Sequence, residues 1–183
     1  APNENYAREL LELFTLGRGA YGEQDVRAAA YALAGWHVED DDDAVVFEPE
    51  LGPRRLVELL GRSVRSVDDV VDAVCDHPAC APFVAGKVFE WLAGVPPAED
   101  RRAHLASVFR DHELEIRPLV REIVTLPDFW SSRFNRLRSP LEWYLAARRL
   151  LGVDSEHWVL YDLGQVPFEP PNVAGWPGPR RWI

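Results

Sequence analysis

The sequence has 183 residues, of which 47% are hydrophobic and 27% are charged, and its formal net charge at pH 7 is -10. This length predicts one domain, and the apolar fraction is typical of a globular protein that can bury a core. The negative charge argues against general nucleic-acid binding, which requires positive charge facing phosphate, and no apolar run in the sequence is long enough to cross a bilayer.

The sequence contains no methionine, not even an initiator. We therefore expect it to be a fragment or a processed product of a longer protein. A signal peptide could have been lost with the missing N-terminus, so the termini of the sequence do not indicate a compartment.

The opening stretch, from Asn3 to Gly17, has the clearest helical pattern in the sequence. A side-chain oxygen of Asn3 or Asn5 can cap its first turn, and Gly17 is expected to end it in the left-handed conformation. Apolar residues at helical spacing predict a buried stripe that consists of Tyr6, Leu10, Leu13 and Phe14, widened by Ala7 and Leu11.

The opposite face of this helix carries Asn5, Arg8, Glu9 and Glu12. Because Glu4, Arg8 and Glu12 are spaced four apart, they can form a ladder of alternating charge on an exposed face. The alternative is that this face packs under another segment and forms a buried polar network, since buried charges need partners.

A second helix is expected from Glu23 or Gln24 to Ala34, and it would form an αα-hairpin with the first. A β-ribbon is expected at about residues 37–47, with the acidic run from Glu39 to Asp43 at its tip. These acids could bind calcium, but they lack the ligand spacing and the glycine of an EF-hand loop, which favours a solvated tip. For residues 51–61 we expect a turn and one or two helical turns.

Further helices are expected at about residues 66–77, 79–92, 98–111, 115–126, 139–152 and 155–163. Ser66 and Asp69 form a capping-box pattern, and Ser139-Pro140 is a strong helix start. A tail rich in proline and glycine follows at about residues 164–183. Together these elements predict an all-α fold. It is a multi-helix globular bundle, a single helical domain over residues 1–183, with a small β-ribbon insertion and an irregular C-terminal segment.

Two groups of residues invite a metal reading. The pattern Cys75-x-His77-x-x-Cys80 has no second ligand cluster at zinc spacing, so two half-buried thiols are the simpler interpretation. The alternative, if the protein is exported, is a disulfide bond that closes a small loop. His104 and His112 do not form a His-Glu-x-x-His motif and are expected on a helix surface. We therefore predict no metal site and no cofactor.

The basic residues are almost all arginines, and Lys87 is the only lysine. An ammonium is compact and can lower its pKa when buried, so a lysine that survives an arginine bias can have a special role, with chance as the alternative. The sequence also lacks a Gly-x-Ser-x-Gly elbow and a phosphate-binding loop, which leaves serine hydrolases and nucleotide-binding enzymes without support.

Several motifs together resemble one bacterial family. They are Asn3-Glu4-Asn5-Tyr6-Ala7-Arg8-Glu9-Leu10-x-Glu12-Leu13-x-Thr15-Leu16-Gly17, then Tyr21, Asp25-Val26, Gly35-Trp36, His77-Pro78, Lys87, Ser139-Pro140-x-Glu142, and Gly164-Gln165-x-Pro167-Phe168-x-Pro170-Pro171-Asn172-Val173-x-Gly175-Trp176-Pro177-Gly178. The family is the one catalogued as domain of unknown function eighteen-hundred, and the resemblance extends over essentially the whole chain.

The resemblance implies that the sequence is the C-terminal part of a longer protein with a further helical N-terminal region, and that the chain continues past Ile183. It also implies export to a periplasmic or extracellular location, and gene neighbours that encode a secreted sulfatase- or phosphatase-like protein. It supplies no reaction. Family members usually have a His-Asp pair shortly before Gly-x-Lys, whereas residues 47–54 of this sequence have neither the pair nor the lysine.

We expect the tail to fold back over the polar face of the first helix, where Asn172 would bond Asn5, Arg8 or Glu9 and Trp176 would cover them. The candidate polar network is Asn3, Glu4, Asn5, Arg8, Glu9, Lys87, Gln165, Asn172 and Trp176. The expected function is a non-catalytic helical module that acts as partner or accessory to the secreted sulfatase- or phosphatase-like enzyme. The alternative is an uncharacterised enzyme with a polar site around the Asn-Glu-Asn-Tyr-Ala-Arg-Glu helix.

Overall fold

The structure is a computed structural model that describes residues 2–39, 44–133, 135–152 and 158–176. The part of the chain that the structure describes is mostly helical, with 55% of its residues in helices, and it contains two small antiparallel hairpins between residues 36 and 64. Within the described residues, none of the helices combines the length and the apolar character that a membrane crossing would need.

The chain begins with helix α1 (Glu4–Glu9), which continues directly into a π-helix (Leu10–Thr15). The N–H of Leu16 donates to the carbonyl of Leu11 at 2.9 Å, one residue further back than in an α-helix. This wider turn changes which residues face inward. Ala7 and Leu11 are fully buried, whereas Tyr6 and Phe14 are more than half exposed, so the predicted stripe was wrong at both of these aromatic residues.

Helix α2 (Glu23–Ala32) returns antiparallel to α1, as expected of an αα-hairpin. Its alanines allow close approach, and Val26 and Ala29 are fully buried between α1 and the strands that follow. Gly17 and Gly35 both have the positive φ angles that suit the ends of helical segments.

The predicted β-ribbon is confirmed as strands β1 (Trp36–Val38) and β2 (Val45–Phe47), which pair antiparallel with Trp36 opposite Phe47. Residues 40–43 of its acidic tip lie outside the described residues. A second hairpin, β3 (Val57–Leu59) and β4 (Arg62–Val64), occupies the segment for which we expected helical turns. Leu59 and Val64 are buried in the core. The two-residue turn between the strands has positive φ at Leu60 and Gly61, a conformation that matches the twist of paired strands.

Four of the remaining helices follow the predicted pattern. They are α3 (Val67–Asp76), α4 (Cys80–Ala93), α5 (Glu99–Asp111) and α6 (Ile116–Thr125). The capping box at Ser66 is present, and α4 packs against α3, α5, α6 and the π-helix, which makes it central as expected. Helix α6 ends at Thr125, close to the predicted end at residue 126. A short helix that was not predicted, α7 (Pro127–Ser131), begins next, because proline suits its first position.

The last part contains α8 (Pro140–Leu151), α9 (Val159–Asp162) and a tail of turns up to Trp176. The predicted beginning of the last helix at residue 155 lies outside the described residues. Two clusters of buried side chains form the core. One surrounds α1, α2, the β3–β4 hairpin and α3, and the other lies between α4, α5 and α6, with Val84 of α4 packed against both.

Candidate functional site

The first turn of α1 is capped by Asn3. The Tyr6 N–H donates to Asn3 Oδ1 at 3.0 Å, so Asn3 is the N-cap that the sequence left open between Asn3 and Asn5. Glu4 and Asn5 are exposed beside it. Glu4 lies in the first turn, where a negative charge favours the helix dipole.

Arg8 binds α2 and does not join a ladder along its own helix. Its Nη1 and Nη2 donate to Glu23 Oε1 and Oε2 at 2.7 and 2.8 Å, which is the bidentate geometry that a guanidinium and a carboxylate favour. The hydrogen bond from Arg8 and its positive charge hold the pKa of Glu23 below its usual value. Arg8 therefore fixes α1 against the beginning of α2.

Glu12 forms a separate polar group with Arg18 and Tyr21. Its carboxylate accepts from Arg18 Nε at 2.6 Å and from the Tyr21 hydroxyl at 3.0 Å. These bonds lower the pKa of Glu12. Burial, followed by the bond to Glu12, raises the pKa of Tyr21. Because Arg8 and Glu12 both have partners outside their own helix, the predicted Glu4–Arg8–Glu12 ladder is wrong.

Asp25 joins α2 to the second hairpin. Its Oδ2 accepts from the Gly22 N–H at 2.9 Å and caps α2, while its Oδ1 accepts from the Leu60 N–H at 2.8 Å in the β3–β4 turn. One carboxylate thus satisfies two backbone donors that are 38 residues apart (60 minus 22). Asp25 therefore connects two elements that are distant in the sequence.

The predicted contact between the tail and α1 is not found. Asn172 Oδ1 accepts from the Ala174 N–H at 2.9 Å, within its own turn, and Arg8 is occupied by Glu23. Among the described residues, no hydrogen bond joins Asn172 to Asn5, Arg8 or Glu9. The predicted hydrogen bond from Asn172 to α1 was therefore wrong, because Asn172 and Arg8 each have a partner closer in the chain or on the neighbouring helix. The cover of α1 by Trp176 stays a prediction.

Gln165 contributes to a second polar group, at the beginning of α8. Its side chain is buried, and its Oε1 accepts from the Leu141 N–H at 2.9 Å. Ser139 and Glu142 form a reciprocal capping box at the same turn. Since Pro140 has no N–H, the free donors of this first turn are satisfied, and Gln165 fixes the tail to α8.

Arg136 connects this group to the end of α4. Its Nη2 donates to Glu142 Oε1 at 2.6 Å, its Nε donates to the Trp91 carbonyl at 2.8 Å, and its guanidinium carbon lies 5.1 Å from the centroid of a Trp91 ring. Burial acts to raise the pKa of Glu142, but the bonds from Arg136 and Ser139 outweigh it and the pKa is lowered. Arg136 is thus the main polar link between α8 and the helices of the core.

Two further candidates contribute no described hydrogen bond to either polar group. Lys87 is exposed on α4, with its Nζ 5.7 Å from the centroid of the Phe83 ring, and Trp176 is half-buried near the end of the described tail. Glu9 is also half-buried. Among the described residues, no hydrogen bonds join the nine predicted residues into one network, and a single site formed by them stays a prediction.

The thiols at the junction of α3 and α4 are both free. Burial of Cys80 raises its pKa to about 11, and burial also raises the pKa of Cys75, so both are neutral thiols at physiological pH. Within the described part of the chain, no group of three or more His, Cys, Asp and Glu side chains is placed to hold a metal ion.

Sequence reasoning missed four residues that organise these groups, namely Arg18, Glu23, Asp25 and Arg136. The Asp25 cap had a detectable signal, because an acid three residues after Gly22 in front of an apolar run is a capping pattern. Arg8–Glu23 joins two helices, and Arg136–Trp91 joins the segment before α8 to α4, so no spacing along one helix reveals either pair.

Comparison with known proteins gives one match. The model of a family described as "Protein of unknown function (DUF1800)" matches residues 1–183, the whole of the sequence. Neither the curated proteins nor the solved structures contain a match.

Proposed function

The chain belongs to the DUF1800 family, and from this membership and the surface of α8 we propose that it is a non-catalytic helical module of an exported bacterial protein. In this proposal the module binds, as partner or accessory, a secreted sulfatase- or phosphatase-like enzyme encoded beside it. The module is one helical domain over residues 1–183, a bundle with inserted hairpins.

The observation that carries the proposal is an apolar stripe on α8 that faces solvent. We define the α8 stripe as Trp143, Ala147, Leu150 and Leu151, which share one helix face by their spacing. Trp143, Leu150 and Leu151 are 57%, 85% and 68% exposed. Soluble proteins rarely leave a contiguous apolar helix face uncovered, and such faces are typical of docking surfaces.

Other aromatic residues in the segments that follow α8 are also exposed. Trp158 and Tyr161, at α9, are each 56% exposed, and Phe168 in the tail is 97% exposed. Aromatic residues are enriched at the centres of protein interfaces, where they provide most of the binding energy. The anchor of α8 through Arg136 and Gln165 keeps the stripe on a fixed helix, which lowers the entropic cost of binding.

The alternative enzyme, with its site on the polar face of α1, gains no support from the contacts of that face. Arg8 and Glu12 are held by Glu23, Arg18 and Tyr21, and a polar network satisfied in this way favours a structural role.

The proposal is tested by co-purification of the natural protein with the sulfatase- or phosphatase-like protein encoded beside it. We expect the two to associate, and we expect the double variant W143Q/L150Q to bind at least about tenfold more weakly, since buried aromatic and aliphatic anchors dominate such interfaces. The matched control is V71Q/I116Q, which changes two residues that are 49% and 47% exposed on α3 and α6. No association at native levels, or equal loss in both double variants, would contradict the proposal.

The resemblance also implies a helical region that precedes residue 1 in the natural protein, and this region is a second candidate occupant of the α8 stripe. Hydrogen exchange of α8 amides separates the two occupants. Protection that appears only when the partner is added supports the proposal. Protection already present in the natural protein alone assigns the stripe to its own N-terminal region and counts against it.

A further inference from the structure

A cleft lies between the beginning of α1, one face of α2 and the segment that leads into β3. It has a volume of about 440 Å³ and is lined by Pro2, Glu4, Gln24, Arg27, Ala28, Tyr31, Arg55 and Val57. This volume is within the range of small-molecule sites, and the cleft combines apolar walls with a few polar groups, as such sites usually do.

The α2 wall of the cleft follows from helical spacing. Gln24, Arg27, Ala28 and Tyr31 lie three or four residues apart, so they share one face of α2. Arg55 also lines the cleft, and its guanidinium carbon lies 5.5 Å from the centroid of the Tyr31 ring. The Tyr31 hydroxyl accepts from the Arg54 N–H at 2.9 Å, which fixes the ring in the cleft.

Arg27 is free to bind a ligand because Glu23, its expected partner on the same helix, is bound to Arg8. Glu23 is four residues before Arg27 and would normally pair with it along the helix. Both carboxylate oxygens of Glu23 instead accept from Arg8, at 2.7 and 2.8 Å. Within the described residues Arg27 forms no hydrogen bond or ion pair, and its charge acts on Glu23 only through space.

Arg55 also lacks an acidic partner among the described residues, and its described contact is with the Tyr31 ring. The cleft therefore carries two arginines and, among its described lining residues, one acid, Glu4. The lining of the cleft is therefore positively charged, whereas the chain as a whole has a formal net charge of -10. Guanidinium groups match the geometry of carboxylate and phosphate oxygens, which they bind through paired N–H donors.

From this geometry we propose that the cleft binds a small organic anion. Its carboxylate, sulfate or phosphate group contacts Arg27 and Arg55, and its apolar or aromatic body lies against Tyr31, Pro2 and Val57. This site is distinct from the α8 stripe and does not depend on the proposed function.

The test uses titration of isotopically labelled protein with phenyl phosphate, followed by NMR of the arginine side chains and of the backbone. We expect saturable shifts centred on Arg27, Tyr31 and Arg55, with a dissociation constant of about 1 mM, typical of an open site with two ionic contacts. Inorganic phosphate, which lacks the ring, is expected to bind more weakly. Shifts spread evenly over exposed arginines, or no saturation, would overturn the proposal without the need for any variant.

Variants then test the two charges. R27Q/R55Q is expected to weaken phenyl phosphate binding by at least about tenfold, because each charge-assisted hydrogen bond contributes substantially to affinity. The control R117Q/R121Q removes the same charge from two exposed arginines of α6 and is expected to bind like the unchanged protein. Equal weakening in both double variants would show a general effect of charge and would overturn the site.

Glu4 gives a test in the opposite direction. Its carboxylate repels an anion in the cleft, so E4Q is expected to tighten binding severalfold, whereas E90Q on the exposed surface of α4 should leave it unchanged. Weaker binding of phenyl phosphate to E4Q would contradict the placement of its phosphate group in the cleft beside Glu4.

Discussion

Gly94 and Gly152 each follow the last residue of a helix and have φ angles of +76° and +64°. They differ in what surrounds them. A Cβ at Gly94 would lie 2.5 Å from the Cα of Arg136, whereas a Cβ at Gly152 would have no neighbour within 4 Å among the residues that the structure describes. The close approach at Gly94 brings the segment before α8 against the end of α4.

This difference predicts unequal costs for the same substitution. G152A should lower the free energy of unfolding by about 1 kcal/mol, the cost of a left-handed alanine. G94A carries that cost plus a backbone clash, so we expect a loss about 1–3 kcal/mol larger. Urea unfolding of both variants measures the difference, and equal losses would show that the contact with Arg136 is not tight.

Glu12 predicts a pH dependence of stability. Its folded pKa lies below the ordinary value because Arg18 and Tyr21 donate to it. A carboxyl with a depressed folded pKa contributes stability that is present above the unfolded pKa of about 4.3 and is lost as pH falls through the folded pKa. We therefore expect E12Q to be less stable than the unchanged protein at pH 7, with the difference disappearing under acid.

Carbon-13 titration of the Glu12 carboxyl provides the direct measurement. Its midpoint should lie below about 4.3 in the unchanged protein and should rise in R18Q and in Y21F, since each removes one donor. A midpoint at the ordinary value would contradict the two hydrogen bonds.

At the scale of elements, Asp25 predicts a coupling between α2 and the β3–β4 hairpin. D25A removes both acceptors, so we expect a loss of about 1–3 kcal/mol in the free energy of unfolding. D69A, which removes the acid of the α3 capping box, is the control. Only D25A should also increase hydrogen exchange at the Leu60 amide, because only Asp25 accepts from it.

The elements show where sequence reasoning was sufficient. Ser66 and Ser139 begin helices as predicted, and the β1–β2 ribbon was found, since each depends on residues close together in the chain. The β3–β4 hairpin has the required alternation, but its turn is Leu60-Gly61, and leucine at the first turn position is a weak signal compared with asparagine or aspartate.

The π-helix and the position of the tail were beyond such reasoning. The apolar spacing of residues 10–15 also fits an α-helix, so spacing alone does not reveal that the Leu16 N–H donates to the carbonyl of Leu11, five residues back. The predicted contact of Asn172 with α1 required two distant segments to meet, and Asn172 instead found a partner two residues away. The helices could be predicted from residues close together in the chain, whereas the candidate site depends on contacts between segments that are distant in the chain.

At the scale of the whole molecule, α8 is held differently from the helices of the two buried clusters. None of the elements around α4 packs extensively on α8 among the described residues, and α8 is connected mainly through α9, Gln165 and Arg136. The single domain over residues 1–183 therefore stays a prediction.

R136A tests this arrangement. Loss of its bonds to Glu142 and the Trp91 carbonyl should accelerate hydrogen exchange in α8 by about tenfold or more, since a bond to a charged group contributes about 1.5–3 kcal/mol. Exchange in α4 should change little, because its core contacts with α5 and α6 remain. R117A on exposed α6 is the control, and faster exchange in both α4 and α8 would show that they unfold as one unit.

The solitary lysine on α4 also makes the chain unusually simple to map chemically. In this sequence an amine-reactive cross-linker can attach to only one side chain, Lys87, which is exposed and has its ammonium beside the Phe83 ring. Any covalent bridge from the lysine side chain to a bound protein therefore starts at a known point. The length of the shortest spacer that succeeds gives an upper limit on the distance between the Lys87 amine and the linked group of that protein.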